Sequence, residues 1–196
     1  MVNISAYTLM LFLHIGAAIA LVGHTLGAPA LHASLREATT ASDVARLLGF
    51  AGRSARWNLA ASLVLLVSGL SLGAAGWWQQ SWFALAVAAW IANALLATRV
   101  VKPSAGALMA AAVSTGDGPV GREMERLRHS TGWALAARAM IANDLAILYV
   151  MIDKPGLAHA AGVMLVAHTA LAGVWFARHR TTGSVVARRD ETRAPA

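Results

Sequence analysis

Five stretches of the chain are long enough and apolar enough to cross a lipid bilayer, and they limit the fold more than any other feature. A membrane-spanning helix needs about 20 mostly apolar residues, because each residue rises about 1.5 Å through a hydrocarbon core about 30 Å thick. The requirement is met at about residues 5–27, 57–78, 81–101, 133–152 and 157–177. We therefore predict an all-α membrane helix bundle with five transmembrane helices.

The composition agrees with a membrane-embedded chain. Hydrophobic residues make up 58% of the sequence and charged residues 13%, whereas soluble proteins carry roughly 25% charged residues. There is no cysteine, which excludes disulfides, thiolate-bound zinc and cysteine-held iron–sulfur clusters. The net charge is +7, and the basic residues lie between apolar runs and not on one amphipathic face. The predicted partner is therefore the lipid bilayer and not a nucleic acid.

The positions of the basic residues predict the topology. Nearly all Lys and Arg residues outside the spans lie in the first loop, the third loop or the C-terminal tail, whereas the opposite side carries Lys154. Because Lys and Arg collect on the cytoplasmic side, we predict an outside N-terminus and a cytoplasmic C-terminus in a bacterial inner membrane. A single transmembrane bundle is expected over residues 1–178, and a disordered basic cytoplasmic tail over 179–196.

The predicted cytoplasmic loops carry helical patterns of their own. In "SDVARLLGFAGR", Ser42 is placed to cap a short helix, and "REMERLRHS" is a charged helical stretch that follows the turn-rich "STGDGPVG". Pro29 is expected to end the first helix, because proline breaks the hydrogen-bond pattern of a helix interior.

Polar side chains inside the spans are the candidate functional residues, because such groups are costly in a membrane. Counting about 1.5 Å per residue from the predicted ends of the spans, His14, His168 and Asp144 share one layer near mid-membrane, and Asn93 lies near it. Two histidines from different helices at one depth suit axial heme ligation. Met164 lies one turn from His168, which leaves a His/Met pair of ligands open.

A structural role competes with ligation for each mid-membrane histidine. A neutral imidazole is equally satisfied by a hydrogen bond to Ser, Thr, Asn or a backbone carbonyl, and we leave the two roles open. The remaining histidines are predicted at the surface: His24, His32, His129, His159 and His179.

Ionisable groups of the fourth span extend the candidate site. Asp144, beside Asn143, is either protonated, paired with a histidine or part of a proton path. Arg138 lies roughly 240° around the helix from Asp144, and we expect it to reach the cytoplasmic headgroups or a bound heme propionate.

Several segments resemble small bacterial membrane proteins of the CopD and HemJ type. "LHIGAAIALVGHTLGAPALH" has the first-helix pattern of that group, with His14 followed by small residues and Pro29, and "SGLSLG" and "RAMIAND…MIDKP" are similar to later parts. The nearest likeness is to an uncharacterised branch of predicted integral membrane proteins. The resemblance implies a four- or five-helix bundle that binds b-type heme through His14. It also implies protoporphyrinogen oxidation in HemJ-type members and copper handling in CopD-type members, although "WIANALLATRVV" lacks the charged residues and histidines expected for the former.

The sequence leaves two classes of function open. The first is heme b bound near mid-membrane by His14 and His168 between the first and last spans, for electron transfer or a heme-linked oxidation with a membrane redox partner or a second copy. The second is a non-enzymatic membrane protein, such as a small transporter, a copper-handling protein or a subunit of a complex. In that class, His14 and Asp144 hold the helices together.

Overall fold

The computed structural model describes residues 5–74 and 76–191, with the backbone alone for 175–191. Within them the chain forms seven α-helices and a π-helical turn over Ala97–Val101 that joins α3 to α4. The α-helices are α1 (Ala6–Glu37), α2 (Ala41–Gly73), α3 (Ser81–Leu96), α4 (Lys102–Thr115), α5 (Arg122–Arg128), α6 (Thr131–Asp153) and α7 (Leu157–Glu191). Five helical segments are long and apolar enough to cross a membrane, which confirms the predicted membrane helix bundle.

The first helix is longer than predicted, because it continues through Pro29 to Glu37. The prediction that Pro29 ends this helix is wrong. A proline removes one backbone hydrogen bond, and long apolar helices tolerate that loss where neighbouring groups compensate. The helix ends where the Arg128 guanidinium donates from Nη1 to the carbonyl oxygens of Leu35 (3.0 Å) and Ala38 (2.7 Å).

The short helix predicted after Ser42 is the first part of the second helix and not a separate element. It begins at Ala41, and the Thr40 hydroxyl caps it by accepting a hydrogen bond from the Asp43 backbone N–H at 3.2 Å. The predicted charged stretch forms α5 as a separate element. The last helix runs to Glu191, through much of the segment 179–196 for which a disordered tail is predicted, and residues 192–196 lie outside the described residues.

Two apolar clusters hold the ends of the bundle. We call the first end the α5 end, where buried residues of α1, α2, α4, α5 and α6 pack together: Leu35, Ala41, Val44, Leu48, Leu108, Ala112, Met124 and Trp133. The other we call the Trp77 end, where Trp82 and Phe83 pack against Val150 and Ala160. Between and around them, large apolar side chains face outward, including Phe12, Trp57 and Ile152. Such a surface suits contact with lipid.

The turn between α6 and α7 is tied to the Trp77 end. Lys154 adopts a left-handed conformation with φ of 50°, and its backbone N–H donates to the Val150 carbonyl at 2.9 Å. The Lys154 ammonium lies 4.2 Å from the centre of the Trp77 ring, within range of a cation–π attraction. The turn therefore fixes the start of α7 against the loop between α2 and α3.

Candidate functional site

A chain of hydrogen-bonded polar side chains joins α3 to α6 inside the bundle, and a polar residue of α1 lies beside it. Asn143 on α6 donates from Nδ2 to Asn93 Oδ1 on α3 at 2.8 Å, and Asn93 donates from Nδ2 to Asp144 Oδ1 on α6 at 2.7 Å. Thr25 of α1 lies close to the Asp144 carboxyl group. We call these four residues the Asp144 cluster. The Asn93 amide donates to the carboxyl group, and the Asn143 amide donates to Asn93.

The Thr25 hydroxyl hydrogen-bonds within its own helix. Thr25 is buried, and its Oγ1 lies 3.0 Å from the Leu21 carbonyl oxygen, to which it donates within α1. A hydroxyl carries a single proton but can also accept. Because that proton is directed at Leu21, the Thr25 oxygen retains the capacity to accept a hydrogen bond.

The Asp144 cluster lies deep in the bundle. Asp144 is nine residues from the end of α6, and Asn93 is twelve residues from the start of α3, which places them about 13 Å and about 18 Å along their helices. The π-helical turn Ala97–Val101 follows Asn93 closely and packs against α6. Such turns inside helices are frequent at functional sites.

The structure places His14 away from the Asp144 cluster. Thr25, and not His14, is the α1 residue beside Asp144. Thr25 and His14 lie about 16 Å apart along α1. His14 faces α2, where its Nδ1 lies 3.2 Å from both the Leu65 carbonyl oxygen and Ser68 Oγ. The prediction grouped His14 with Asp144 by depth alone, and the hydrogen-bond partners of His14 in the structure lie on α2.

The contact of His14 with α2 depends on a glycine. A Cβ atom at Gly69 would lie 3.0 Å from the His14 Cε1 atom, so the imidazole occupies the space that a side chain would fill. His24 also reaches α2, with Nδ1 2.9 Å from Ser54 Oγ. These contacts give both histidines of α1 a structural partner on the neighbouring helix.

His168 belongs to another part of the bundle. Its Nδ1 lies 2.8 Å from the Met164 carbonyl oxygen on its own helix, and α7 packs mainly against α6 and α3, whereas α1 packs mainly against α2 and α6. In the part of the chain that the structure describes, no three His, Asp or Glu side chains gather closely enough to hold a metal ion.

A basic group lies nearer the α5 end, and sequence reasoning missed part of it. The His32 ring, predicted at the surface, is half-buried with its centre 4.7 Å from that of Trp133 on α6. Arg36 follows His32 by four residues and shares its face of α1. Arg138 donates from Nη1 to the Ala134 carbonyl oxygen at 2.7 Å.

Sequence signals for the missed residues exist but are weak. Thr25 and His32 are seven residues apart, a spacing that puts them on one face of a helix, and that face is the one that α1 turns toward α6. No pattern in α1 alone says that α6 is its neighbour. Thr25 and His32 therefore look like isolated polar residues until the helices are assembled.

No family model, curated protein or solved structure matches this chain. The resemblance to the CopD and HemJ group stays a prediction, and the functional argument rests on the geometry of the Asp144 cluster.

Proposed function

We propose that the protein is a small multi-pass transporter of a bacterial inner membrane, with an outside N-terminus, that binds and releases a proton at Asp144. The observation that carries the proposal is the position of this carboxyl group. It is half-buried inside the bundle, with a hydrogen bond from Asn93 of α3 and with Thr25 of α1 close by. Ionisable residues inside membrane spans typically mark ion or proton pathways.

The surroundings of Asp144 suit a reversible proton site better than a permanent ion pair. Asn93, which hydrogen-bonds its side chain, and Thr25, which lies close to it, are both neutral. Neutral donors stabilise the carboxylate without neutralising it, so the group can exchange a proton with less loss than a carboxylate bound to a guanidinium. Asn143 holds the Asn93 amide in the orientation that donates to Asp144.

Asp144 is the proton-carrying residue in this mechanism, and its neighbours are positioning residues. On release of the proton, Asn93 donates to the carboxylate. On uptake, the carboxyl O–H needs an acceptor, and the nearby Thr25 oxygen can accept because its own proton is donated to the Leu21 carbonyl. Because α1, α3 and α6 all contribute, a change in their packing alters the hydrogen bonds that Asp144 makes. That dependence is what couples a proton to helix movement in a transporter.

The proposal is tested with dicyclohexylcarbodiimide, which reacts with protonated carboxyl groups in apolar surroundings. We expect one adduct in the purified wild-type protein by intact mass spectrometry, decreasing as the pH is raised. Asp144→Asn is expected to remove it. Asp153→Asn, which changes an exposed carboxylate at the end of α6, is the matched control and is expected to keep it.

A transport assay supplies the second measurement. In proteoliposomes with an imposed membrane potential and a trapped pH-sensitive dye, wild-type protein is expected to move protons, and Asp144→Asn is expected to stop this movement. An adduct that persists in Asp144→Asn, or proton movement equal in both proteins, contradicts the proposal. Loss of labelling in the presence of Na⁺ at constant pH would instead assign the site to a metal cation.

Heme b binding is the second candidate, and one observation favours it. Nδ1 of His14 and Nδ1 of His168 each lie at hydrogen-bond distance from a backbone carbonyl oxygen. Donation of Nδ1–H to a carbonyl is the arrangement that orients Nε2 of a histidine toward a metal. The donor chemistry of each residue therefore suits an axial ligand, and Met164 next to His168 offers a thioether. A bound heme would supply one-electron chemistry.

Heme binding is tested by the absorption spectrum of the detergent-purified protein from cells well supplied with heme. We expect a b-type spectrum on reduction, which His14→Ala abolishes and His24→Ala keeps, because His24 lies on the same helix and also contacts α2. A colourless wild-type preparation would exclude this candidate and leave the Asp144 proposal intact.

A further inference from the structure

We propose that a groove between α6 and α7 binds a membrane-dissolved quinone, with the quinone ring beside Tyr149 and His159 and the apolar tail along the groove. The groove has a volume of about 480 Å³, within the range of about 300–1,000 Å³ that is typical of small-molecule sites. Leu145 and Ala146 line it from α6, whereas the side chain of Asp144, the residue before them, is bound to α3. The proposal therefore does not depend on proton exchange at Asp144.

The groove is polar at one end and apolar along the rest of its length. Tyr149 lies four residues before the last residue of α6, and His159 is the third residue of α7, so both stand beside the turn that is tied to the Trp77 end. The groove continues away from this turn as far as Ala167, about 12 Å of helix rise from His159, and its apolar walls are Leu145, Ala146, Gly162, Val163 and Val166. An amphiphile with a small polar head and one long apolar tail matches this division.

The surroundings place the polar end of the groove at the membrane surface. Tryptophan and tyrosine side chains concentrate at the level of lipid headgroups, and the Trp77 end brings Trp77 and Trp82 together with ring centres 5.6 Å apart. The groove is open on its outer side, where Tyr149, Leu145 and Val166 are exposed. In a membrane this side meets lipid, so a ligand dissolved in the bilayer enters the groove laterally.

The charges at the polar end favour an uncharged head group over a phosphate. His159 Nδ1 lies 3.9 Å from Asp153 Oδ2, so the carboxylate balances any positive charge on the imidazole. The Lys154 ammonium of the same turn lies over the Trp77 ring. What remains for a ligand is hydrogen bonding, because the Tyr149 hydroxyl donates and the imidazole donates or accepts. A quinone carbonyl accepts from these groups, and a quinol hydroxyl donates to the imidazole.

The contact between the two polar side chains leaves room for a ligand oxygen. The Tyr149 hydroxyl lies 3.4 Å from His159 Nε2, longer than the roughly 2.7–2.8 Å that is usual for hydroxyl donors. A ligand oxygen that approaches either group more closely replaces this contact with little loss. The two rings have centres 5.9 Å apart and planes inclined at 51°, and both side chains are exposed, so their faces can stack on a flat ring. A phospholipid has no such ring and carries two chains, whereas this groove runs between a single pair of helices.

The experiment measures binding of decylubiquinone, a quinone with one alkyl tail, to the full-length protein in detergent by native mass spectrometry. Phosphatidylglycerol is the competing probe. Tyr149→Phe removes the hydroxyl and keeps the ring, and Tyr7→Phe is its matched control, because Tyr7 is exposed on α1. Gly162→Leu fills the apolar part of the groove. Its matched control is Gly173→Leu, since both glycines lie on α7 and a Cβ atom at either position meets nothing within 4 Å.

We expect the affinity for decylubiquinone to fall about threefold to tenfold in Tyr149→Phe, the usual effect of losing one hydrogen bond. We expect a fall of about tenfold or more in Gly162→Leu, because the leucine side chain occupies the space of the tail. Both controls are expected to bind as the wild type does. Absence of quinone binding to the wild type, or equal affinities in Tyr149→Phe and Tyr7→Phe, would overturn the proposal. Phosphatidylglycerol that displaces the quinone and depends on Gly162 but not on Tyr149 would also overturn it and assign the groove to a lipid chain.

Discussion

Replacing Trp133 with alanine is expected to lower the free energy of unfolding by about 3–5 kcal/mol, the usual cost of removing a buried tryptophan. Trp133 is 4% exposed. It packs in the cluster of the α5 end and holds the His32 ring at 4.7 Å. Alanine would leave a cavity between α1, α5 and α6 that these helices cannot close without separating from α2 and α4.

The change is measured by unfolding in micelles of a mild detergent with increasing sodium dodecyl sulfate. Trp57→Ala is the matched control, because Trp57 is 80% exposed on the lipid-facing side of α2. We expect the control to stay close to wild type. A Trp133→Ala protein as stable as Trp57→Ala would mean that the cluster at the α5 end does not hold the helices together.

Replacing Gly73 with alanine is expected to destabilise the Trp77 end by about 1–3 kcal/mol, the cost of overpacking a filled core. A Cβ atom at Gly73 would lie 2.7 Å from Phe83 Cζ. The Phe83 ring cannot move away freely, because Trp78 and Trp82 lie against it with ring centres 5.3 and 5.9 Å away. The added methyl group must therefore push α2 away from α3.

Gly23→Ala separates this clash from the ordinary effect of adding a methyl group to a helix. A Cβ atom at Gly23 meets nothing within 4 Å, and alanine favours a helix over glycine by about 1 kcal/mol. We expect Gly23→Ala to unfold at the wild-type temperature or above it, and Gly73→Ala below it, in a thermal scan followed by tryptophan fluorescence. A Gly73→Ala protein with unchanged thermal stability would contradict the tight contact with Phe83.

The five spans were predictable because length and apolarity are properties of each segment alone. Segment length and apolarity could not show that α1 continues past Pro29 or that α2 begins at Ala41. Helix ends depend on local capping, such as that by Thr40 and Arg128. A helix pattern also continues beyond the hydrocarbon core, where composition no longer distinguishes a span from a loop.

The residue types of the candidate site were predictable, but which of those residues contact one another was not. Asp144, Asn143 and Asn93 stand out because polar groups are rare in the apolar spans, and the structure brings them together. Thr25 completes the cluster because α1 packs against α6, a fact about neighbouring helices that periodicity along one helix does not contain. His14 was placed with them by a depth count, and its partners are on α2.

The π-helical turn Ala97–Val101 acts as a phase shift in the long helix from Ser81 to Thr115. Its wider winding sets the side chains that follow back by about one residue, or about 100° of helix rotation. Asn93 before the turn can thereby face α6, while Leu108 after it faces the cluster at the α5 end.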